Sequence, residues 1–494
     1  DRLAEFLKSD THSEQRSKIF KNSVFEIVRG MPLESAKAKL IESLPKLDSM
    51  LHAEYEIYCS GISFEEIKRK FGSLVVEYGS RVSGSLSEIQ AQVLSLPLAG
   101  VVVASQMEPA SLFQGVALKN IAQFSRNRFT GKVIAITGSS GKTSTKHILA
   151  TSLQKFDKTH FTQGNNNNII GLSLTLSRLP KEYAFCVLEL GMNHTGEIKE
   201  LALISKPHIA LITNVSSSHI ENFNSEKEIA NAKSEIFIGL NATGVAIINS
   251  DNAWCDYLKE KAKKYTTNIK LYGHTIKSNH QIKKIIDEKD GSTIFLENNR
   301  PWHLKYMSSV QALNAVGTLV VVGELGLSQE TAKKTISGIK PLSGRGHKII
   351  INFKNNQESL LIDDSYNANP DSMYASLCNL YKIKSKLINY ETVLIIGDML
   401  ELGKKAKLKH LELIPILKKI NPNLLITVGS FTQLISKELK IKSYSYLNVD
   451  ELLSKIKEIV KPNQLILIKG SNGTNLWKLV KVLQNFNQEN NNAA

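Results

Sequence analysis

Cysteine is scarce in this chain. Its 494 residues hold four, Cys59, Cys186, Cys255 and Cys378, too few and too widely spaced for a disulfide framework or a zinc site, and a reducing cytoplasm is the expected compartment. Long apolar runs are also missing. The longest, Leu96 to Ala104, is broken by Pro97 and Gly100 and is about half of the roughly 20 residues a membrane helix needs, so no transmembrane segment is expected. The opening Asp1-Arg2-Leu3-Ala4-Glu5 does not read as a signal peptide. Acidic residues are in deficit, 46 against 62 Lys and Arg, for a net charge of +16. Such a balance suits nucleic acid, an anionic surface or acidic small molecules. The lysines are spread along the chain, as at Lys261 to Lys264, Lys283-Lys284 and Lys404 to Lys409, without interleaved aromatics, which argues for a solvated basic surface and against a nucleic-acid footprint.

What is present is an ordinary globular composition, 42% hydrophobic and 22% charged, and a length that predicts about three domains. Residues 1 to about 57 place apolar side chains at helical spacing (Leu3, Phe6, Leu7; Val24, Ile27, Val28; Leu40, Leu44, Leu47). From Lys132 the pattern becomes short β-branched runs alternating with helical stretches: Val133 to Thr137, Phe185 to Glu189, His208 to Val215, Val245 to Asn249. A second series follows at Leu360 to Asp363, Thr392 to Gly397, Leu424 to Gly429 and Leu465 to Lys469, after a linker at Lys340-Pro341-Leu342-Ser343-Gly344. The expected fold is α/β with three parts: a helix-rich region over 1–112, a central α/β domain with a parallel sheet over 113–341, and a Rossmann-like domain over 342–494 with a disordered Asn-rich tail from Asn485.

The chemistry is concentrated in Val133 to Ser144. A buried strand runs into Gly138-Ser139-Ser140-Gly141-Lys142-Thr143-Ser144 and then a helix. Glycines let backbone N–H groups close on phosphate oxygens, the helix N-terminus adds positive potential, Lys142 reaches the terminal phosphates, and Thr143 is suited to hold Mg²⁺. The eight-residue form of this loop has Gly where this chain has Ile136, so this is the shorter Gly-x-x-Gly-Lys-Thr form.

Thr137-Gly138-x-x-Gly141-Lys142-Thr143 resembles the loop of the Mur ligase family. Further segments are similar to that family in order: Gly164 to Gly171 with four asparagines, Glu189 to His194, Asn214 to His219, Ala232-Lys233-Ser234-Glu235, and Asn249 to Asn252. Asp363-Asp364-Ser365-Tyr366-Asn367-Ala368-Asn369-Pro370-Asp371-Ser372-Met373 and Gly397-Asp398-Met399-Leu400-Glu401-Leu402-Gly403 resemble the MurF branch, and the whole resemblance spans roughly 113 to 480. It implies an ATP-dependent ligase that adds D-alanyl-D-alanine to UDP-N-acetylmuramoyl-tripeptide through an acyl phosphate, in peptidoglycan precursor synthesis, as a cytoplasmic monomer without nucleic acid. It also implies site residues. Gly138 to Ser144 would bind ATP, with Asn314 facing the adenine and Arg345 approaching the phosphates, beside Asp364 and Asn367 of the last domain. Thr143, Glu189, His219 and Lys233 would hold Mg²⁺, Lys233 as a carbamate, and Lys142, His219, Lys233 and Arg345 would act in catalysis. Taken singly, Glu189 also reads as a surface carboxylate, His219 as a capped loop histidine, Lys233 as a solvated helix lysine and Arg345 as a linker arginine.

Three departures stand out. The family's His-Asn pair before Asn314 is replaced by Val310-Gln311, and the Arg after Lys469-Gly470-Ser471 by Asn472. The Asp-Ser-Arg, Gly-Asp-x-Phe and Asp-Gly-His motifs of the UDP-binding domain are missing from residues 1–112, where only Phe64 to Ile67 and Ala99 to Ala104 resemble that domain's flanks. Rival readings therefore remain: a related amide ligase with another acceptor, a P-loop ATPase switch or nucleic-acid motor, and a non-catalytic scaffold.

Overall fold

The computed structural model describes residues 110–492 apart from 217–219, 224, 276–277, 279, 289 and 298–299. The expected helices before residue 57 and the flanks at 64–67 and 99–104 lie outside the described residues, as does His219. From its start the chain alternates helix and strand. The order is α1 (Ala110–Arg128), β1 (Lys132–Thr137), α2 (Lys142–Leu153), β2 (Thr159–Phe161), α3 (Ile169–Ser177), β3 (Phe185–Glu189), α4 (Glu197–Ser205), β4 (Ile209–Ile212), α5 (Glu226–Ser234), β5 (Val245–Asn249), α6 (Cys255–Ala262) and β6 (Asn268–Gly273). Then come β7 (His280–Asp287), β8 (Gly291–Leu296), β9 (Pro301–Lys305), α7 (Ser309–Glu324) and α8 (Gln329–Ser337).

Two compact units emerge. The described part of the first holds residues 110–133, 157–190 and 200–207. In it β2 and β3 pair in parallel, Thr159 opposite Phe185, and α3 packs on α1. Arg126 near the end of α1 is buried, and its guanidinium donates to the carbonyls of Ser205 at 2.6 Å and Lys206 at 2.7 Å, which satisfies helix-end carbonyls that would otherwise be orphaned.

The second unit holds residues 134–156, 191–199 and 208 onward. Its strands run in the order β1-β4-β5-β6-β7-β8-β9, parallel as far as β7 and antiparallel from β7 to β9. Residues 209–212 and 245–249 are buried throughout, as expected of central parallel strands covered on both faces. The antiparallel meander is an addition to the expected organisation. A bulge between Ile282 and Lys284 breaks the alternation that would have marked β7 in the sequence.

The same unit contains a second sheet of six strands. These are β10 (His347–Asn352), β11 (Glu358–Asp364), β12 (Glu391–Gly397), β13 (Leu424–Val428), β14 (Ser443–Tyr446) and β15 (Gln464–Lys469). Their order is β10-β11-β15-β12-β13-β14, with only β10 antiparallel to its neighbour. Helix α9 (Pro370–Lys384) starts with Pro370 at its first turn and Asn369 as cap, the Asn369 side chain accepting from Ser372 N at 2.8 Å. The last helix (Trp477–Asn492) runs through the Asn-rich stretch expected to be disordered. Leu476, Leu479, Val480 and Leu483 are buried in the core beside β15, and a helix nucleated by packing extends at little further cost.

Candidate active site

Parallel strands place their C-terminal ends on one edge, and the loops that follow them adjoin there. In the second unit the order β1-β4-β5 brings together 138–141, 213–216 and 249–252. Gly138 packs against the loop after β4, where a β-carbon would lie 2.0 Å from Thr213 Oγ1. Ser139 N donates to Asn214 O at 2.8 Å. The Ser139 hydroxyl donates to Ser216 O at 3.1 Å and accepts from Ser216 N at 2.9 Å. Thr213 Oγ1 donates to Ser140 O at 2.6 Å. The third loop braces the second: Asn252 Nδ2 donates to Asn214 Oδ1 at 2.6 Å and to Val215 O at 3.0 Å, and Asn249 Nδ2 to Thr213 O at 3.0 Å.

This brace holds a concave turn. Gly141 has φ +81°, a left-handed conformation that favours glycine, and opens α2 without a side-chain cap. The first turn of a 12-residue helix thus presents backbone donors and the positive end of its dipole beside Lys142, Thr143 and Ser144. Lys142 Nζ donates back to Gly138 O at 2.6 Å. Asn314, on α7, abuts the turn, since a β-carbon on Gly141 would lie 2.9 Å from Asn314 Oδ1. The arrangement suits a polyphosphate.

Lys233 sits in the last turn of α5 with only 1% of its surface exposed. Burial first, and the Lys142 charge second, push its pKa well below that of a free lysine. Among the described residues no carboxylate forms an ion pair with it. A buried amine with a lowered pKa gives up its proton more readily than the solvated ammonium that a lone helix lysine suggests.

Glu189 belongs to the first unit, where it ends β3 and is buried. Asn167 Nδ2 donates to its Oε1 at 2.9 Å, and Glu189 N donates to Thr162 Oγ1 at 3.1 Å. The asparagine run therefore has divided tasks: Asn167 orients the carboxylate and Asn168 caps α3, accepting from Gly171 N at 2.9 Å.

In the second sheet, Asp363 is fully buried and organises the linker. Its Oδ2 accepts from Gly344 N at 2.6 Å and from Ser343 Oγ at 3.1 Å, and its Oδ1 from Ser365 Oγ at 2.6 Å. Asp364 Oδ2 is paired with Lys469 Nζ at 2.8 Å and accepts from Ser376 Oγ at 2.5 Å. Lys469 also donates to Asn367 O at 3.0 Å, while Asn367 Oδ1 accepts from Ala368 N at 2.9 Å. Arg345 lies over the Tyr366 ring at 4.2 Å. Ser471 joins the two C-terminal signature loops: its hydroxyl donates to Ala368 O at 3.1 Å and accepts from Leu400 N at 2.9 Å. In the second of those loops, Asp398 accepts from Thr432 N and Phe431 N, and buried His410 accepts through Nε2 from Met399 N at 2.8 Å while its Nδ1 donates to Ala406 O.

The second unit thus gathers Gly138 to Ser144 with Asn314, and Arg345 with the loop of Asp364 and Asn367. The bracing residues Asn214, Asn249 and Asn252 and the organiser Asp363 had no site role in the sequence reading. Asparagine at a strand end was the available signal for the first three.

Comparisons with known proteins agree with these features. A family model described as the Mur ligase middle domain matches residues 136–322, and one described as the Mur ligase, glutamate ligase domain matches 350–472. A UDP-N-acetylmuramoyl-tripeptide--D-alanyl-D-alanine ligase of Rickettsia prowazekii is 38% identical over 376 residues, 74% of this chain and 81% of that protein. The crystal structure of MurF from Acinetobacter baumannii superposes with a TM-score of 0.67 at 29% identity, covering 76% of this chain and 81% of the other. MurF ligase from Thermotoga maritima in complex with ADP shares the fold, with a TM-score of 0.64 at 24% identity and coverage of 76% and 84%.

Proposed function

Because the chain belongs to the Mur ligase family, we propose that it joins D-alanyl-D-alanine to UDP-N-acetylmuramoyl-tripeptide at the expense of ATP. The observation that carries the choice of substrates is the 38% identity, over 81% of its length, to a relative named for this reaction. A carboxylate and an ammonium do not condense in water. The γ-phosphoryl group of ATP therefore passes to the tripeptide carboxylate, the deprotonated dipeptide amine attacks the acyl carbon, and phosphate leaves with the C–O bonding electrons as the amine loses a proton.

The chain's own residues have four tasks in this reading. The N–H groups of Gly138 to Ser144 and the open end of α2 bind phosphate oxygens, and Asn314 faces the base. Lys142 gives up its contact with the Gly138 carbonyl to neutralise charge that develops on the transferring group. Arg345 approaches the same phosphates from the linker. Asp364 and Asn367 border the nucleotide from the C-terminal domain, which we take to begin at residue 342, after a central domain over 113–341 and an N-terminal region over 1–112. Thr143, Glu189, His219 and Lys233 are the residues we assign to Mg²⁺. Their donors are hard oxygens and an imidazole, with Lys233 acting as its carbamate, and Mg²⁺ would supply charge neutralisation at the phosphates. The depressed Lys233 pKa supports the carbamate, since only a free amine attacks carbon dioxide. No helix among the described residues is long and apolar enough to cross a membrane. A cytoplasmic monomer fits substrates of this kind.

The test is phosphate release from ATP with UDP-muramoyl-tripeptide, with and without D-alanyl-D-alanine. Release that requires both is expected; release independent of the dipeptide overturns the reading. The missing UDP motifs in residues 1–112 favour one variant of it, a family ligase with a different acceptor, one that carries no UDP. A turnover that rises when the UDP moiety is removed from the acceptor would select that variant.

A further inference from the structure

The linker between the two sheets is held from three directions. The His147 ring, on α2, hydrogen-bonds the Lys340 carbonyl. Asp363, at the end of β11, accepts from Ser343 Oγ and Gly344 N through its carboxylate and from Gly346 N through its carbonyl at 2.8 Å. The third hold is Gln311, whose Nε2 donates to the Arg345 carbonyl at 2.5 Å.

Gln311 is unlike the other two in what fixes it. Its Oε1 accepts from Ser308 N at 2.9 Å, closing the N-terminus of α7, so the amide is pinned by its oxygen and its NH₂ group is aimed at the linker. Gly346, with φ +77°, borders the amide; a β-carbon there would lie 3.5 Å from Gln311 Nε2, an ordinary contact. Asn314 is three residues further along α7 and touches Gly141 on the same helical face. A single helix therefore touches the phosphate turn through Asn314 and the backbone of Arg345 through Gln311. The Arg345 backbone is closed by its own N–H to Leu342 O at 3.1 Å, and its guanidinium rests on Tyr366. With both backbone groups tethered, the side chain departs from a fixed point.

We propose that Gln311 is a positioning residue for phosphoryl transfer: by holding the Arg345 carbonyl it sets where the Arg345 guanidinium stands relative to the turn Gly138 to Lys142. The proposal rests on the reading of that turn as the ATP site. It gives Val310-Gln311 a task that the altered pair before Asn314 otherwise lacks.

The test uses the full chain with Gln311→Glu, Gln311→Met, Arg345→Ala and the double variants. Glutamate keeps the oxygen that accepts from Ser308 N, so the helix start survives, but it replaces the donor to Arg345 O with a repelling oxygen. Methionine removes both contacts and serves as the control for loss of the cap. Gln311→Glu should lower kcat on the order of tenfold, with KM for ATP changed less than about twofold. In the Arg345→Ala background the same substitution should have no further effect on kcat, because its only route to the reaction has been removed. An equal loss in both backgrounds, or no loss in either, overturns the proposal. Hydrogen exchange of residues 340–348 separates this from failure of the functional reading. If the wild-type chain forms no amide, that reading falls. Faster exchange of the linker in Gln311→Glu would still support the hold, and unchanged exchange would refute it.

Discussion

Lys233→Met is the most informative single substitution. The amine is buried, and burial followed by the Lys142 charge holds its pKa well below the free value. The unfolded chain therefore takes up a proton at about pH 10.4 that the folded chain refuses until a lower pH. Over that interval the unfolded state binds more protons, so wild-type stability is lost as pH falls, at about 1.4 kcal/mol per pH unit for this one group. Methionine is apolar, of similar size and without a proton to bind. The stability of the variant minus that of wild type should be constant above pH 10.5. It should then rise with that slope as pH falls, until the folded pKa is reached, and level off below it. Urea midpoints in carbon-dioxide-free buffer from pH 7 to 10.5 measure the difference. The variant should be more stable than wild type at pH 7 and inactive. A difference that stays flat across the range would mean that Lys233 is charged in both states, and the argument from burial would be wrong. Bicarbonate adds a second arm. The neutral nitrogen attacks carbon dioxide and sheds a proton to give a carbamate, so bicarbonate with Mg²⁺ should stabilise wild type and leave Lys233→Met unchanged.

Lys142→Ala should reduce turnover on the order of a thousandfold, since its amine, which donates to the Gly138 carbonyl, brings a positive charge to the turn; retained turnover would remove the loop from the ATP site. Asn252→Ala deletes the bonds to Asn214 and Val215, and the loss of about 1–2 kcal/mol of loop bracing should raise KM for ATP on the order of tenfold, an effect absent if the turn is rigid without them. Gly470→Ala should destabilise by about 1–3 kcal/mol in urea, because its β-carbon would lie 2.7 Å from Thr474 Oγ1 and 3.0 Å from Gly397 Cα; wild-type stability would show that the turns at Gly397 and Gly470 can move apart. His410 has a pKa lowered by burial, so stability should fall as pH drops through the unfolded value near 6.5, and His410→Gln should lose less between pH 7.5 and 5.5; equal losses by urea midpoint would refute a neutral His410.

The strands that were legible in the sequence are those whose burial is uniform. Phe185 to Glu189 and Val245 to Asn249 coincide with β3 and β5 because every residue in them is buried, which leaves an unbroken apolar run bounded by polar residues. The run His208 to Val215 shrinks to Ile209–Ile212. Its last residues leave the ladder to serve the phosphate turn, Thr213 through Ser140 and Asn214 through Ser139. β14 escaped notice for the opposite reason. Ser443–Tyr446 is a partly exposed edge strand, with no apolar run to report it.

The site divides along a different line. Gly138 to Ser144 is contiguous, so its chemistry and its geometry are written in consecutive residues. The residues that hold it are not. Asn252 reaches Asn214 across 38 positions and Asn214 reaches Ser140 across 74, and these loops are neighbours only because β1, β4 and β5 are neighbours, a strand order that no local pattern states. The same limit applies to charge. The resemblance makes Asp364, at a strand end, a ligand contact and gives Lys469, at another strand end, no site role; the parallel pairing of β11 with β15 makes them partners at 2.8 Å. The Asp364 carboxylate, paired to Lys469 and accepting from Ser376, helps fix the loop that carries Asn367, whose carbonyl Lys469 also holds. Gln311→Glu and Asn252→Ala address this kind of residue, which touches no substrate and sets where the contacting residues stand. Motif reading finds groups that react, and strand order with register finds groups that place them.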